Sequence, residues 1–224
     1  MRKIKPSQIL VFASLLTVAI VLSLLTTKLL LGDLPLGDFR GITLVVAAVG
    51  FLYIYALALY RLYMAWFPLL PGVVEQDSSQ EFRYHVYILF YLLLFYPVIR
   101  SGIPPAPLMR MFYLALGAKL GDNTYSQGII HDPLFVEIGH DSVVGQGALL
   151  IPHVIEGQRL AHFPIRIGNH VTIGANAAVL SDVEIGDHAI VATGAVVKKG
   201  SRIAAHEVWG GVPARKLRVL NQED

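Results

Sequence analysis

The chain contains no cysteine, so disulfides, thiolate metal sites and a cysteine nucleophile are excluded. Charge is scarce as well. Only 15% of the 224 residues are Asp, Glu, Lys or Arg, against about a quarter in an ordinary soluble domain. The formal net charge of +2 is too small and too evenly spread for a nucleic-acid partner. With 54% hydrophobic residues and a mean hydropathy of +0.58, part of the chain is expected in lipid. The apolar pattern changes along the chain: before Arg100 it forms unbroken runs, and after Gly117 it recurs at fixed spacing among glycines.

Residues 9–27 carry no charge, 29–31 extend that run past Lys28, and 41–60 form a second uncharged run. Crossing a bilayer takes about 20 such residues. A membrane module is therefore expected over 1–100, with spans at about 8–31 and 41–61. The first run is too long for a signal peptide, and no A-x-A cleavage site follows it. Arg2, Lys3 and Lys5 favour a cytoplasmic N-terminus, which makes 32–40 (GDLPLGDFR) a short outside turn. A third apolar segment, 84–99, is short, rich in tyrosine and ends at Pro97 and Arg100. Tyrosine suits the interface, where its ring is buried and its hydroxyl stays wet. This segment is expected to lie in or dip into the cytoplasmic leaflet. The alternative is a third crossing that carries everything after it outside. Residues 101–119 read as an amphipathic linker helix. The whole reads as an integral protein of a bacterial inner membrane, with its C-terminal domain in the cytoplasm.

From 167 onward one apolar residue recurs every six: Ile167, Ile173, Val179, Ile185, Val191, Val197 and Ile203. Glycine often follows, and the fourth residue after each is small or β-branched, as at Val171, Ala177, Val183, Ala189, Ala195 and Ser201. The same frame covers Ile138, Val144 and Leu150, and Leu120 lies eighteen residues before Ile138. A period of six matches neither an α-helix nor an alternating strand. It suits a triangular coil in which each hexad makes one flat face and one corner, and three hexads close a turn. Such a coil is expected over 120–217, followed by a tail at 218–224.

This stretch resembles the hexapeptide-repeat acyltransferases, such as the maltose, galactoside and serine acetyltransferases, and 210–215 (GGVPAR) resembles their closing motif. The resemblance implies a left-handed parallel β-helix, so the expected fold is N-terminal transmembrane α-helices followed by that coil. It also implies a homotrimer and active sites between subunits that use acetyl-coenzyme A or another acyl-coenzyme A. It implies no metal. The membrane module stands where soluble relatives carry a helical cap. The expected acceptor is therefore membrane-associated, a hydroxyl or amine of a small molecule or lipid-linked saccharide, and membrane lipid is an expected partner.

The hexad frame breaks once. Leu150 and Ile167 are seventeen residues apart, one short of a full coil, and 152–164 lacks the hexad pattern. This reads as a loop leaving the coil. Acyl transfer needs a base to take the acceptor's proton, a task suited to imidazole. His153 matches the family's position for that base, Glu156 is expected to orient it, and His162 reads as a solvated loop histidine. The resemblance assigns donor binding to Ala175, Thr193, Lys198, Lys199, Arg215 and Arg218, whose cations suit coenzyme phosphates. It assigns the acceptor side to His131 and Asp132. His170, His188 and His206 lie eighteen apart and form an outward column that His153, fourth in its own hexad, is placed to begin. An ordinary polar column is favoured over a metal ladder, because the sequence has no pair of histidines five residues apart of the kind used by gamma-class carbonic anhydrases. A noncatalytic trimeric membrane scaffold and a metal-dependent hydratase of that class are the competing functions.

Overall fold

A computed structural model describes residues 2–221. Met1 and the last three residues of the expected tail lie outside the described residues. The chain divides into two compact units: a helical one, Arg2–Leu69 with Asp77–Pro97, and a second built from Leu70–Gln76 and the chain from Val98 onward.

The helical unit holds α1 (Pro6–Leu31), α2 (Arg40–Trp66) and α3 (Ser79–Phe90). A π-helical turn, Tyr91–Phe95, joins α3 to α4 (Tyr96–Ser101). Pro97 stands two residues beyond the end of that turn. Its missing N–H leaves a ladder bond unmade, a common cause of such irregularity. The burial pattern is the reverse of a soluble bundle. On α1 the inward residues are Gln8, Phe12, Ala19, Ser23 and Thr27, while Leu10 and Leu29 are 69% and 82% exposed. Ser23 donates to the Ala48 carbonyl at 2.6 Å, and Thr26 and Tyr55 share a hydrogen bond of 2.6 Å. Small and hydroxyl residues between helices, with leucines facing out, are what lipid-embedded packing selects. Among the described residues three helices, Pro6–Leu31, Gly37–Trp66 and Ser79–Ser101, are long and apolar enough to cross a membrane.

In the second unit α5 (Ala106–Leu116) ends at Gly117, whose φ of 106° gives the left-handed turn that leads into the coil. The coil has three faces. Face 1 stacks the strands Lys119–Leu120, Val136–Ile138, Ile165–Ile167, Glu184–Ile185 and Arg202–Ile203. Face 2 stacks Tyr125–Ser126, Val143–Val144, Thr172–Ile173, Ile190–Val191 and Glu207–Gly210, with Arg215–Val219 added antiparallel. Face 3 stacks Ile129–Ile130, Leu149–Leu150, Ala178–Val179 and Val196–Val197. Neighbours within the coil are parallel. The hexad aliphatics fill its axis: Leu150, Val179, Val191 and Val197 are fully buried, as are the small partners Ala177 and Ala189. Corner glycines permit coil-to-coil contact. A Cβ on Gly174 would meet the Thr193 nitrogen at 2.4 Å.

Face 1 also carries a ladder of alternating charge on its outer side, running Lys119, Glu137, Arg166, Glu184 and Arg202 on successive strands. Lys119 meets Glu137 at 3.4 Å, and Glu184 meets both Arg166 and Arg202 at 3.3 Å. Opposite charges directly across neighbouring strands favour this register.

The register corrects the reading of the frame break. Ile138 pairs with Ile167, and Leu150 with Val179, both across 29 residues, whereas later coils pair across 18. The excursion is thus eleven extra residues in an otherwise complete coil, rather than a coil one residue short. It is also regular. His153–Glu156 and Arg159–His162 form an antiparallel hairpin, and Gly72–Val74 adds a third strand against its second arm. Residues 70–76, expected in the membrane module, therefore belong with the coil.

Candidate active site

The first coil departs from the hexad frame at one place. Counting in sixes from Leu120 puts residue 132 on the axis of face 3, a slot an aspartate carboxylate cannot occupy without a partner. The chain instead reaches face 3 two residues early. Ile130 pairs with Leu150 and fills the axis, with no exposed surface. Tyr113 of α5 holds this shortened corner: its hydroxyl donates to the Gly128 carbonyl at 3.0 Å and accepts from the Ile130 N–H at 3.2 Å. Burial of that hydroxyl pushes its pKa up to about 12, so it stays protonated. Asp132 is carried to the corner beyond, in the left-handed region at φ 42°.

That corner is where the hairpin leaves the coil. The Asp132 Oδ2 lies 2.5 Å from His153 Nδ1. Asp132 is buried, with 3% of its side chain exposed, while 28% of the His153 side chain reaches solvent. Burial alone lowers the imidazole pKa, but the hydrogen bond and the charge of Asp132 outweigh it and the net shift is upward. The His131 ring stands edge-on to His153 at 5.9 Å, and burial holds its pKa down. His162 is paired with His153 across the hairpin and stacks on Phe135 at 4.8 Å. It is fully buried, and that burial lowers its pKa. One half-exposed imidazole with a fixed ring, backed by a buried carboxylate, can take a proton from a nucleophile at its outer nitrogen.

The expectation for Glu156 is corrected. It lies three positions along the strand from His153, so their side chains leave opposite faces, and it meets Arg159 at 3.5 Å. Asp132, read from the sequence as an acceptor-side residue, stands beside the imidazole in its place. The histidine column is corrected too. It begins at His140, whose ring lies 4.9 Å from that of His170, and not at His153.

Residues 164–199 match the family model described as bacterial transferase hexapeptide, six repeats. The hexads of this stretch match that repeat. Similar curated proteins include gamma carbonic anhydrase 1 of Arabidopsis thaliana, 36% identical over 39% of this chain and 27% of that protein. Another is the 2,3,4,5-tetrahydropyridine-2,6-dicarboxylate N-acetyltransferase of Enterococcus faecalis, 43% identical over 27% of this chain and 25% of its own length. The chain thus spans about a quarter of these relatives. A hexapeptide-repeat acetyltransferase of Vibrio cholerae, solved with acetyl-coenzyme A, is 27% identical, with a TM-score of 0.43 over 47% of this chain and 62% of that one.

The donor residues expected from the resemblance do not meet at one point of a single hexapeptide coil. Ala175 and Thr193 stack on consecutive coils between faces 2 and 3, where the Gly194 N–H donates to the Ala175 carbonyl at 2.9 Å. Lys198 and Lys199 follow face 3, on the same corner as Asp132 and the hairpin. Lys199 Nζ sits 5.2 Å from the Phe163 ring centre. Arg215 and Arg218 lie on the exposed closing strand. Sequence reasoning missed the strand Gly72–Val74 and the Asp132–His153 contact. The misfit of an aspartate on an axis position was the available signal for the second.

Proposed function

We propose that this protein is a membrane-anchored acyltransferase that moves an acetyl or other acyl group from acyl-coenzyme A to a hydroxyl or amine of a membrane-associated acceptor, with His153 as general base. The observation that carries this reading is the Asp132–His153 pair at the mouth of the hairpin. The carboxylate accepts from Nδ1–H, which fixes the tautomer and leaves the Nε2 lone pair for the acceptor's proton. The acceptor oxygen or nitrogen then attacks the thioester carbonyl. As the carbon–sulfur bond breaks, the imidazolium returns its proton to the departing thiolate. Buried Asp132 offsets the positive charge that His153 carries between those two steps. Lys198, Lys199, Arg215 and Arg218 supply the positive charge for coenzyme phosphates in this reading, and Ala175 and Thr193 line a corner of the coil that a pantetheine arm can follow.

The same reading takes the coil as a left-handed β-helix that assembles as a homotrimer, so that donor residues from separate corners converge across a subunit boundary. The His153 unit is placed in the cytoplasm, at a bacterial inner membrane. The basic N-terminus supports this, as does a third apolar segment rich in tyrosine that ends at Pro97 and Arg100.

The test is acyl transfer by detergent-purified protein given acetyl-coenzyme A and a membrane extract. Because the chain has no cysteine, released coenzyme thiol can be read directly with a thiol reagent. His153→Ala should lower the rate about 10²–10⁴-fold. A variant with undiminished activity would overturn the assignment of the base.

A further inference from the structure

Away from His153, the corner between faces 1 and 2 carries a second set of imidazoles. Its turning positions all take positive φ: Asn123, Asp141, His170, His188 and His206 lie between 53° and 61°. Non-glycine residues seldom accept this conformation, and Asn, Asp and His do so best. The corresponding corner between faces 2 and 3 uses Gly147, Asn176 and Gly194. Asn, Asp or Gly would therefore satisfy the backbone as well as His does, and nothing in it requires histidine three times running. The rings stack at 4.7 Å between His170 and His188 and at 4.8 Å between His188 and His206, nearly coplanar in tilt.

At the first rung the pattern changes. His140 enters from the neighbouring position and stands at 88° to His170, 4.9 Å between centres. Its Nδ1 lies 2.8 Å from Asp141 Oδ2, and the other oxygen of that carboxylate accepts from the Asn123 side chain at 2.7 Å. The His140 backbone N–H donates to the Asn169 side chain at 3.0 Å. One ligand atom from each of His140, Asp141 and His170 falls within 4.8 Å of the others, and all three residues are exposed. The two imidazoles and one carboxylate come from two adjacent coils. A tetrahedral zinc ion holds its ligands at about 2.0–2.2 Å, which sets neighbouring donors about 3.4 Å apart. Rotation of exposed side chains covers that difference.

We infer that His140, Asp141 and His170 form a binding site for a divalent transition-metal ion such as zinc, with the fourth position open to solvent. Two nitrogens and one oxygen suit zinc, nickel or copper and disfavour magnesium and calcium. The site lies at a different corner of the coil from His153 and is independent of the acyl-transfer reading.

The experiment is calorimetric titration of zinc into untagged, chelator-treated, full-length protein in detergent. One saturable site per chain is expected. His140→Ala and His170→Asn should each weaken it at least about tenfold, since each removes one of three ligands. Asn is chosen at 170 because it keeps the positive φ. His206→Asn, two rungs away, should leave the affinity within about twofold. Absence of saturable binding would overturn the inference. So would binding that survives the His140→Ala/His170→Asn pair, or that is lost in His206→Asn or His153→Ala instead. Circular dichroism of each variant separates loss of ligand from loss of fold.

Discussion

Asp132 and His153 lie 21 residues apart and meet at 2.5 Å, each brought to the corner by a departure from the six-residue period. Asp132 arrives because the first coil reaches face 3 early. His153 arrives because eleven residues leave the coil as a hairpin. The first departure supplies a buried carboxylate and the second a half-exposed imidazole.

Asp132→Asn should separate a chemical role from a packing role. With the carboxylate gone, burial acts alone on His153 and its pKa falls below the usual value of about 6.5. The acid limb of kcat/KM should move to lower pH while the plateau rate falls about 10²–10⁴-fold. A pair that only packs would leave the limb in place. The raised native pKa also fixes the sign of the stability effect. The pair's contribution is fully present below about pH 6.5, the unfolded value, and fades as pH rises through the native one. Denaturant midpoints of wild type and variant across pH 5–8 would measure that loss.

Gly174 and Gly194 should respond oppositely to substitution. A side chain on Gly174 meets the backbone of the next coil at 2.4 Å, so Gly174→Ala should cost about 1–3 kcal/mol through overpacking. Gly194 has a φ of 69° but open space around it, and its neighbour one coil earlier is Asn176. Gly194→Asn should change stability by less than about 0.5 kcal/mol. Thermal midpoints would distinguish the two.

Glu184 sits between two arginines on face 1. Glu184→Lys would place three cations on adjacent strands, and a loss of about 1–2 kcal/mol is expected, given that such exposed pairs are individually weak. Because the charges are exposed, much of the loss should be recovered in 0.5 M salt. A salt-independent loss would mean that the ladder acts through packing.

The absence of cysteine makes topology directly readable. In intact cells, Asp33→Cys in the turn between α1 and α2 should react with an impermeant maleimide, and Gln158→Cys at the hairpin should not until the membrane is opened. Labelling of Gln158→Cys from outside would place the His153 unit on the far side.

Much of this was legible in the residues. Lipid-length apolar runs and a six-residue period are local signals: each hexad repeats one face and one corner, so counting suffices to find the coil, its axis residues and its small corner partners. The break in the counting, together with the family resemblance, singled out His153, whose role as base is a proposal. What counting could not do was interpret the failure. Seventeen residues between Leu150 and Ile167 read equally as a coil one residue short or as one hexad step with eleven residues added, and only strand register across coils decides. The partner of His153, the strand from 72–74 and the first rung of the histidine ladder depend on pairing between segments distant in sequence. Those contacts are set by which backbone edges and side chains meet once the coil has closed, and no short-range periodicity encodes them.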